Sequence, residues 1–367
     1  MKQIAFILLS LIVFSSCKPE QPVDQDQVDR GAILTHWADQ IIVPGYEQFV
    51  SVAGQMTAAT DAFVASPDLL TLTAARVAVV NAWEEWQTVS MFEVGPAAMT
   101  RLRNQLNIYP VDTDGLLENI TDGGYNLALP SQIDRQGFPA LDYLLFGIGS
   151  TDEEILQAFV SGPQRLAYQA YLQDVANRIL LLSSTVLEEW KNGYRDEYVA
   201  NDGSSATASL DVTLNAFMFY YEKHLRAGKL GIPAGVFSGS ILTGHIEARY
   251  QGTLSVDLAE AALDACIDFF NGVSVKGGFQ GPGMKSYLDE LDARRGDELL
   301  SQAIHNQFDS GKIALQGLDD DLAADLTNNL PKVLGAYDEL QKNVVLLKID
   351  MMQALNVSIS YVDADGD

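Results

Sequence analysis

Apolar residues recur every three or four positions along three long stretches of the chain. The stretches run over residues 72–86, 171–190 and 333–355. This spacing places one apolar stripe along a helix of at least four turns. A proline lies close to the expected start of each stretch, where its missing N–H is tolerated. The prolines are Pro67, Pro163 and Pro331.

Strand patterns are nearly absent. Short apolar alternations occur at residues 273–275 and 359–362, but they are too isolated to build a sheet. The sequence therefore predicts an all-α fold made of helical bundles.

The chain divides best near its middle. Residues 200–205 (ANDGSS) have the composition of a loop, and a new helical pattern begins near Leu210. We therefore predict two helical-bundle domains, over residues 31–200 and 205–367. Each half holds a Gly-Phe pair followed by a Tyr-Leu pair, at residues 137–144 and 278–288. An internal duplication is one explanation of these pairs.

The N-terminus reads as a targeting segment. An apolar run over residues 4–14 follows Lys2, is too short to span a bilayer, and leads to Ser16-Cys17. This resembles the lipobox of bacterial lipoproteins, so residues 1–17 are predicted to be a signal peptide with lipid attached to Cys17. The alternative is an ordinary secretory signal with a chance cysteine. Residues 18–30 are polar and are predicted to be a flexible tether. The expected location is the cell envelope, on either face of the outer membrane.

Charge limits the partners. The chain has 49 acidic and 23 basic residues, a formal net charge of -26. No basic footprint for nucleic acid is visible, so a nucleic-acid partner is not expected. The second cysteine, Cys266, lies in an apolar stretch and is expected to be a small buried hydrophobe.

Five segments together resemble the imelysin family of bacterial envelope proteins, which are also called insulin-cleaving membrane proteases. They occur in the family's order and cover most of the chain after the signal. They are residues 36–46 (HWADQIIVPGY), 82–83 (AW) with 91–96 (MFEVGP), 137–147 (GFPALDYLLFG), 229–235 (KLGIPAG) and 363–367 (DADGD). The resemblance implies a two-domain helical fold, a lipoprotein or periplasmic protein, and a link to iron uptake.

The chain departs from the family at its signature, Gly-x-His-x-x-Glu. The same frame reads Gly137, Pro139 and Asp142, so the histidine is replaced by a residue without a donor atom. One carboxylate is too few for a zinc site, which usually has three or four protein ligands. The sequence therefore favours a protein that is not an enzyme, with a metal-dependent peptidase of the imelysin type as the alternative.

The candidate ligand site follows from the resemblance. The signature is expected to face the cleft between the two bundles, so Gly137, Pro139 and Asp142 are predicted to line it. Glu84 is the first choice of partner and His36 the second. The hypothesis is weak binding of a small polar or cationic ligand; a divalent cation or iron stays open as a cofactor. In the alternative, Asp142 only accepts a hydrogen bond between helices and Pro139 only starts a helix.

Two other histidine patterns are expected to be structural. His36 and Asp39 are spaced for a shared metal, but a solvated or mutually bonded helix face is the more common arrangement. His224 is flanked by charged residues and is expected on the surface. The resulting functional prediction is a non-catalytic envelope binding component, anchored by lipid and associated with iron- or haem-uptake proteins.

Overall fold

The computed structural model describes residues 28–361, and helices dominate that span. Cys17 and the acidic segment 363–367 lie outside the described residues. The α-helices are α1 (Arg30–His36), α2 (Val43–Ala65), α3 (Leu69–Val89), α4 (Pro96–Thr100), α5 (Leu102–Leu106), α6 (Thr113–Asp122), α7 (Gly137–Asp142), α8 (Asp152–Val160), α9 (Arg165–Glu189), α10 (Arg195–Ala200), α11 (Ser209–Phe219), α12 (Ser255–Asn271), α13 (Met284–Glu290), α14 (Leu300–Gln316), α15 (Leu322–Asn328), α16 (Leu330–Val344) and α17 (Met352–Ala354).

Wider, π-helical turns extend or join several of these helices. They are Trp37–Ile42, Tyr143–Gly147, Trp190–Tyr194, Tyr220–Gly231 and Val345–Met351. Short 3₁₀ turns occur at Pro130–Arg135 and Thr243–His245. The predicted all-α fold is confirmed.

The three helices predicted from the apolar period correspond to α3, α9 and α16. Helix α3 begins where expected because the Asp68 side chain accepts a hydrogen bond from the backbone N–H of Thr71 at 2.8 Å. This cap satisfies a backbone donor that the first helical turn leaves free. The α3 stripe is fully buried, from Leu72 to Trp86. Burial of that stripe stabilises the helix more than its intrinsic propensity does.

Long helices pack side by side in each half of the chain. Helix α2 packs on α3 and α9, while α12, α14 and α16 pack together in the second half. The core continues between the halves, because α12 also packs on α3. Rings mark this junction: the centroid of Phe269 lies 4.8 Å from Trp37 and 4.9 Å from Phe92. No helix among residues 28–361 combines the length and apolar character needed to cross a bilayer.

Two local features differ from the sequence expectations. Arg30, placed in the predicted tether, is the first residue of α1 and is buried against the Tyr287 hydroxyl and Asp211. A two-stranded antiparallel hairpin pairs Arg294–Arg295 with Glu298–Leu299. Its strands are too short to produce a visible period in the sequence. Cys266 is fully buried, as expected.

Gly281 allows α1 to pack against the second half of the chain. His36 is buried, and its Nε2 lies 2.8 Å from the carbonyl oxygen of Gly272. A Cβ atom on Gly281 would lie 2.2 Å from the His36 ring. No real structure holds carbon atoms that close, so only glycine fits here.

We predict that Gly281→Ala lowers the free energy of unfolding by about 1–3 kcal/mol, because the new methyl group forces the His36 ring out of place. Gly54→Ala is the matched control. Gly54 lies inside α2 with no neighbour near its Cβ position, so alanine there should raise stability by about 0.5–1 kcal/mol. Urea unfolding measures both. Equal effects of the two substitutions would contradict the packing argument.

Candidate functional site

The signature segment forms the short helix α7. Gly137 has φ of +75°, and a Cβ atom there would lie 2.2 Å from the carbonyl oxygen of Leu106. Both facts require glycine at this position. Pro139 is the third residue of α7 and lies in its first turn, where a proline ring is tolerated. The helical frame is therefore kept although the proline supplies no ligand atom.

Asp142 is buried, with 2% of its surface exposed. Its Oδ2 accepts a hydrogen bond from the N–H of Tyr250 at 2.9 Å, and its Oδ1 accepts one from the N–H of Gln251 at 2.8 Å. Burial raises the pKa of Asp142 to about 7, while these two amides and the charge of Arg249 act in the opposite direction. The carboxyl group therefore ties α7 to a loop of the second half of the chain.

The space beside Asp142 is very small. A crevice of about 10 Å³ lies between the two halves of the chain. Its lining residues are Tyr109, Pro110, Val111, Pro139 and Asp142 from the first half and Gly244, Ile246, Ala248, Arg249 and Tyr250 from the second. That volume is near the minimum for a single water molecule. Gly137, Glu84 and His36 are not among its lining residues.

The other side chains that were considered as ligands lie away from Asp142. Glu84, on α3, is half-buried, and burial together with the charge of Asp257 raises its pKa. His36 contacts the Gly272 carbonyl, as described above. Asp39 binds Arg195 through two hydrogen bonds of 2.8 and 2.6 Å. The structure brings Pro139 and Asp142 together, but it does not bring Glu84 or His36 to them.

A larger cleft lies between the two halves of the chain. Its volume is about 560 Å³, within the range of small-molecule sites. One wall comes from residues 103–109 and Glu93, and the other from α11 and the π-helical turn Tyr220–Gly231. Residues 360–361 complete the rim. They are held by Asn215, whose side chain accepts from the N–H of Ser360 at 2.8 Å and donates to the carbonyl of Ser358 at 3.0 Å.

Two polar atoms in the cleft wall lack partners. Arg103 is 5% exposed, and its Nε donates to the carbonyl of Ser90 at 2.9 Å. Its Nη2 is buried and has no hydrogen-bond partner in the described part of the chain. Asn107 donates to Glu247 at 2.7 Å, but its buried Oδ1 is also unpaired within residues 28–361. Native proteins rarely leave such atoms unpaired, so each marks a place for a ligand or water.

His224 lines this cleft, which corrects its expected surface position. Its ring lies 5.4 Å from that of Phe219 and stacks 6.0 Å from that of Tyr220. Burial, then the charges of Arg103, Lys229 and Lys223, hold the pKa of His224 well below 6.5. The imidazole is therefore neutral at pH 7. Its charged sequence neighbours suggested exposure, but the wide turn of the π-helical segment points the ring into the cleft.

A buried ion pair lies next to Asn107 of the cleft wall. Lys229 binds Glu247, and both side chains are almost fully buried. Burial lowers the pKa of Lys229, and Glu247 opposes that effect. Lys229 belongs to the segment 229–235 that was singled out in the sequence, and its partner lies in the irregular loop that precedes α12.

The family model of imelysin matches residues 42–347 of this chain. The chain belongs to the imelysin family. This confirms the resemblance seen in the sequence, including the altered signature.

Relatives of this imelysin-family chain have low sequence identity. Iron-regulated protein A of Synechococcus elongatus is 28% identical over 134 residues, which is 36% of this chain and 35% of that protein. The alignment thus spans about a third of that relative. A candidate iron-regulated protein A precursor from Parabacteroides distasonis has a TM-score of 0.71 at 16% identity, covering 92% of this chain and 97% of the other. An imelysin-like protein from Psychrobacter arcticum also has a TM-score of 0.71 at 16% identity, covering 92% and 98%. These likenesses show the fold.

The residues of this imelysin-family chain do not fit a metal at the signature. Pro139 has no donor atom, and both oxygens of Asp142 already face backbone N–H groups. Nor do residues 28–361 contain a group of three His, Cys, Asp or Glu side chains placed to hold a metal ion. A catalytic zinc normally has three protein ligands and an open position for water.

The raised pKa of Asp142 predicts a specific pH dependence. Between about pH 4 and about pH 7 the unfolded state has lost this proton and the native state keeps it, so stability falls as pH rises through this window. Asp142→Asn removes the titration. The stability of wild type relative to Asp142→Asn should therefore decrease from pH 4 to 7 and level off above it. Urea unfolding at several pH values tests this. A difference that is constant across the window would contradict the assignment.

Proposed function

We propose that this protein is a non-catalytic, lipid-anchored envelope component that binds a small ligand in the cleft between its halves, within iron or haem uptake. The observation that carries the proposal is the state of Asp142. Both of its oxygens accept backbone hydrogen bonds beside a crevice of about 10 Å³. The carboxyl group already holds two segments of the chain together, and the crevice beside it has no room for a substrate, while the neighbouring cleft has room and unpaired polar atoms.

The iron association draws its support from the family and from one relative. That relative is an iron-regulated protein A, and the alignment with this chain covers about a third of the relative's length. The cleft adds independent support for a binding role, because it combines an apolar wall with a few polar groups. That combination is typical of ligand sites.

The alternative is a metal-dependent peptidase. It requires a metal with an open coordination position and a water molecule that the metal activates. The altered signature supplies one carboxyl group, and that group is already bonded to the second half of the chain. The donor set therefore favours binding over hydrolysis.

We predict that the purified chain lacks chelator-sensitive proteolysis. Unfolded protein substrates should stay intact with or without added zinc, since the signature has lost its histidine donor. Gel analysis over time measures cleavage. Asp142→Asn serves as the matched control, because it keeps the shape of the side chain. Cleavage that is abolished by both a chelator and Asp142→Asn, in folded protein, would establish the peptidase instead.

The lipid anchor has its own test. Cys17→Ala should move the protein from the membrane pellet to the soluble fraction, or leave an unprocessed precursor, because the thiol that carries the lipid is gone. Cys266→Ala is the control, since Cys266 is fully buried and should not affect fractionation. Processed Cys17→Ala protein that stays in the membrane pellet would contradict the anchor.

Iron uptake can be tested through the cleft. Val212 lines it and is 38% exposed, so Val212→Trp should fill space without disturbing the core. Cells carrying this variant at normal protein levels should grow more slowly than wild type when iron is limiting and equally when it is not. If the variant and the wild type grow equally in both conditions, the proposed role of the cleft in iron uptake is contradicted.

A further inference from the structure

The cleft has an unusual charge for this molecule. The whole chain has a net charge of -26, yet the ionisable groups that line the cleft include Arg103 and Lys223, with Glu93 as the one lining carboxylate in the described chain. Lys223 forms no ion pair within residues 28–361 and lies 5.8 Å above the Phe219 ring. A cation held over a ring stays available to a second partner.

Glu93 and Arg103 form an ion pair that leaves part of the guanidinium without a hydrogen-bond partner. Oε2 of Glu93 accepts from the backbone N–H of Arg103 at 3.1 Å, and it lies 3.8 Å from the guanidinium Nε, which is beyond hydrogen-bond distance. Burial raises the pKa of Glu93, while the charge and the backbone N–H of Arg103 act in the opposite direction. Among residues 28–361, Nη2 of Arg103 is a buried cationic donor without an acceptor. A carboxylate is the group that a guanidinium binds best, through two parallel hydrogen bonds.

An unpaired acceptor lies one helical turn away. Asn107 follows Arg103 by four residues and caps the C-terminus of α5, and both residues line the cleft. Oδ1 of Asn107 is buried without a donor, and its Nδ2 is already bound to Glu247. A ligand that satisfies both residues must offer an anionic acceptor and, a few ångströms away, a hydrogen-bond donor.

We propose that the cleft binds a hydroxycarboxylate, with a carboxylate on Arg103 and Lys223 and the ligand hydroxyl donating to Oδ1 of Asn107. This rests on the proposed function and names the chemical class of its ligand. Such anions also bind ferric iron, through these same oxygens, so the contacts proposed here are those of the free anion. The volume of about 560 Å³ admits an anion of this size.

Citrate and tricarballylate test the assignment, because they differ only by the hydroxyl group. Calorimetry should give a dissociation constant of about 1 mM or below for citrate and about tenfold weaker binding for tricarballylate. Equal affinity for the two acids would overturn the hydroxyl contact, and no binding of either at about 10 mM would overturn the proposal.

Variants locate the site. Lys223→Ala should weaken citrate binding about threefold to tenfold, and Arg103→Lys by more than tenfold, because lysine lacks the planar fork. Lys191→Ala makes the same charge change on an exposed side chain outside the cleft and should leave affinity within about twofold. Arg103→Lys removes a buried hydrogen bond, so Lys223→Ala decides the outcome if Arg103→Lys does not fold. Citrate binding that Lys223→Ala and Val212→Trp leave unchanged would overturn the location.

His224 gives a readout independent of affinity. The chain has four histidines, so their ring proton signals are few enough to resolve by NMR, and a His224→Gln variant identifies the one in the cleft. Bound citrate places negative charge near this ring and should raise the low pKa of His224. Binding without a change at His224 would contradict the proposal.

These results separate the two proposals. If Val212→Trp impairs growth on limiting iron and citrate does not bind, the cleft functions with another class of ligand. If citrate binds as described and Val212→Trp cells grow normally, the anion site stands and its role in iron uptake fails.

Discussion

The buried ion pair between Lys229 and Glu247 organises the contact between the two halves of this chain. Lys229 lies in the π-helical turn Tyr220–Gly231, and Glu247 in the loop that precedes α12. Asn107, from the first half, donates to the same carboxylate. Burying two charges is costly, and the cost is offset only when geometry and further hydrogen bonds are good. Three distant segments are therefore held at one point, and removing either charge would leave the other buried and unpaired.

Both the crevice at Asp142 and the larger cleft depend on the Lys229–Glu247 pair. The loop that carries Glu247 continues to Tyr250 and Gln251, whose N–H groups close on Asp142. On the other side, Asn107 and Tyr109 form part of the cleft wall, and Tyr109 also borders the crevice at Asp142. The loop that binds Asp142 of the signature thus also helps to shape the open cleft, through the bond between Glu247 and Asn107. The carboxyl group of the signature acts here as a link between the two halves.

Charge works on two length scales in this protein. The net charge of -26 favours solubility and keeps copies apart, but salt screens it beyond about 10 Å. Around His224, burial and then the charges of Arg103, Lys229 and Lys223 act at shorter range and lower the pKa of its ring. In the proposed anion site, local charge selects the ligand, while the overall charge affects the rate at which an anion approaches.

The sequence by itself determined the helices and the family. The period of three or four places Leu72 to Trp86 on one stripe, and such stripes become buried wherever a helix meets a core. Gly137 and Pro139 were readable as a helix start, since backbone sterics act locally. The surroundings of Asp142 and Asn107 were not readable, because their partners lie far away in the chain. Asp142 meets Tyr250 across 108 residues, and Asn107 meets Glu247 across 140. Only tertiary packing decided which polar atoms of residues 28–361 were satisfied and which were not, since that depends on where the irregular loops lie.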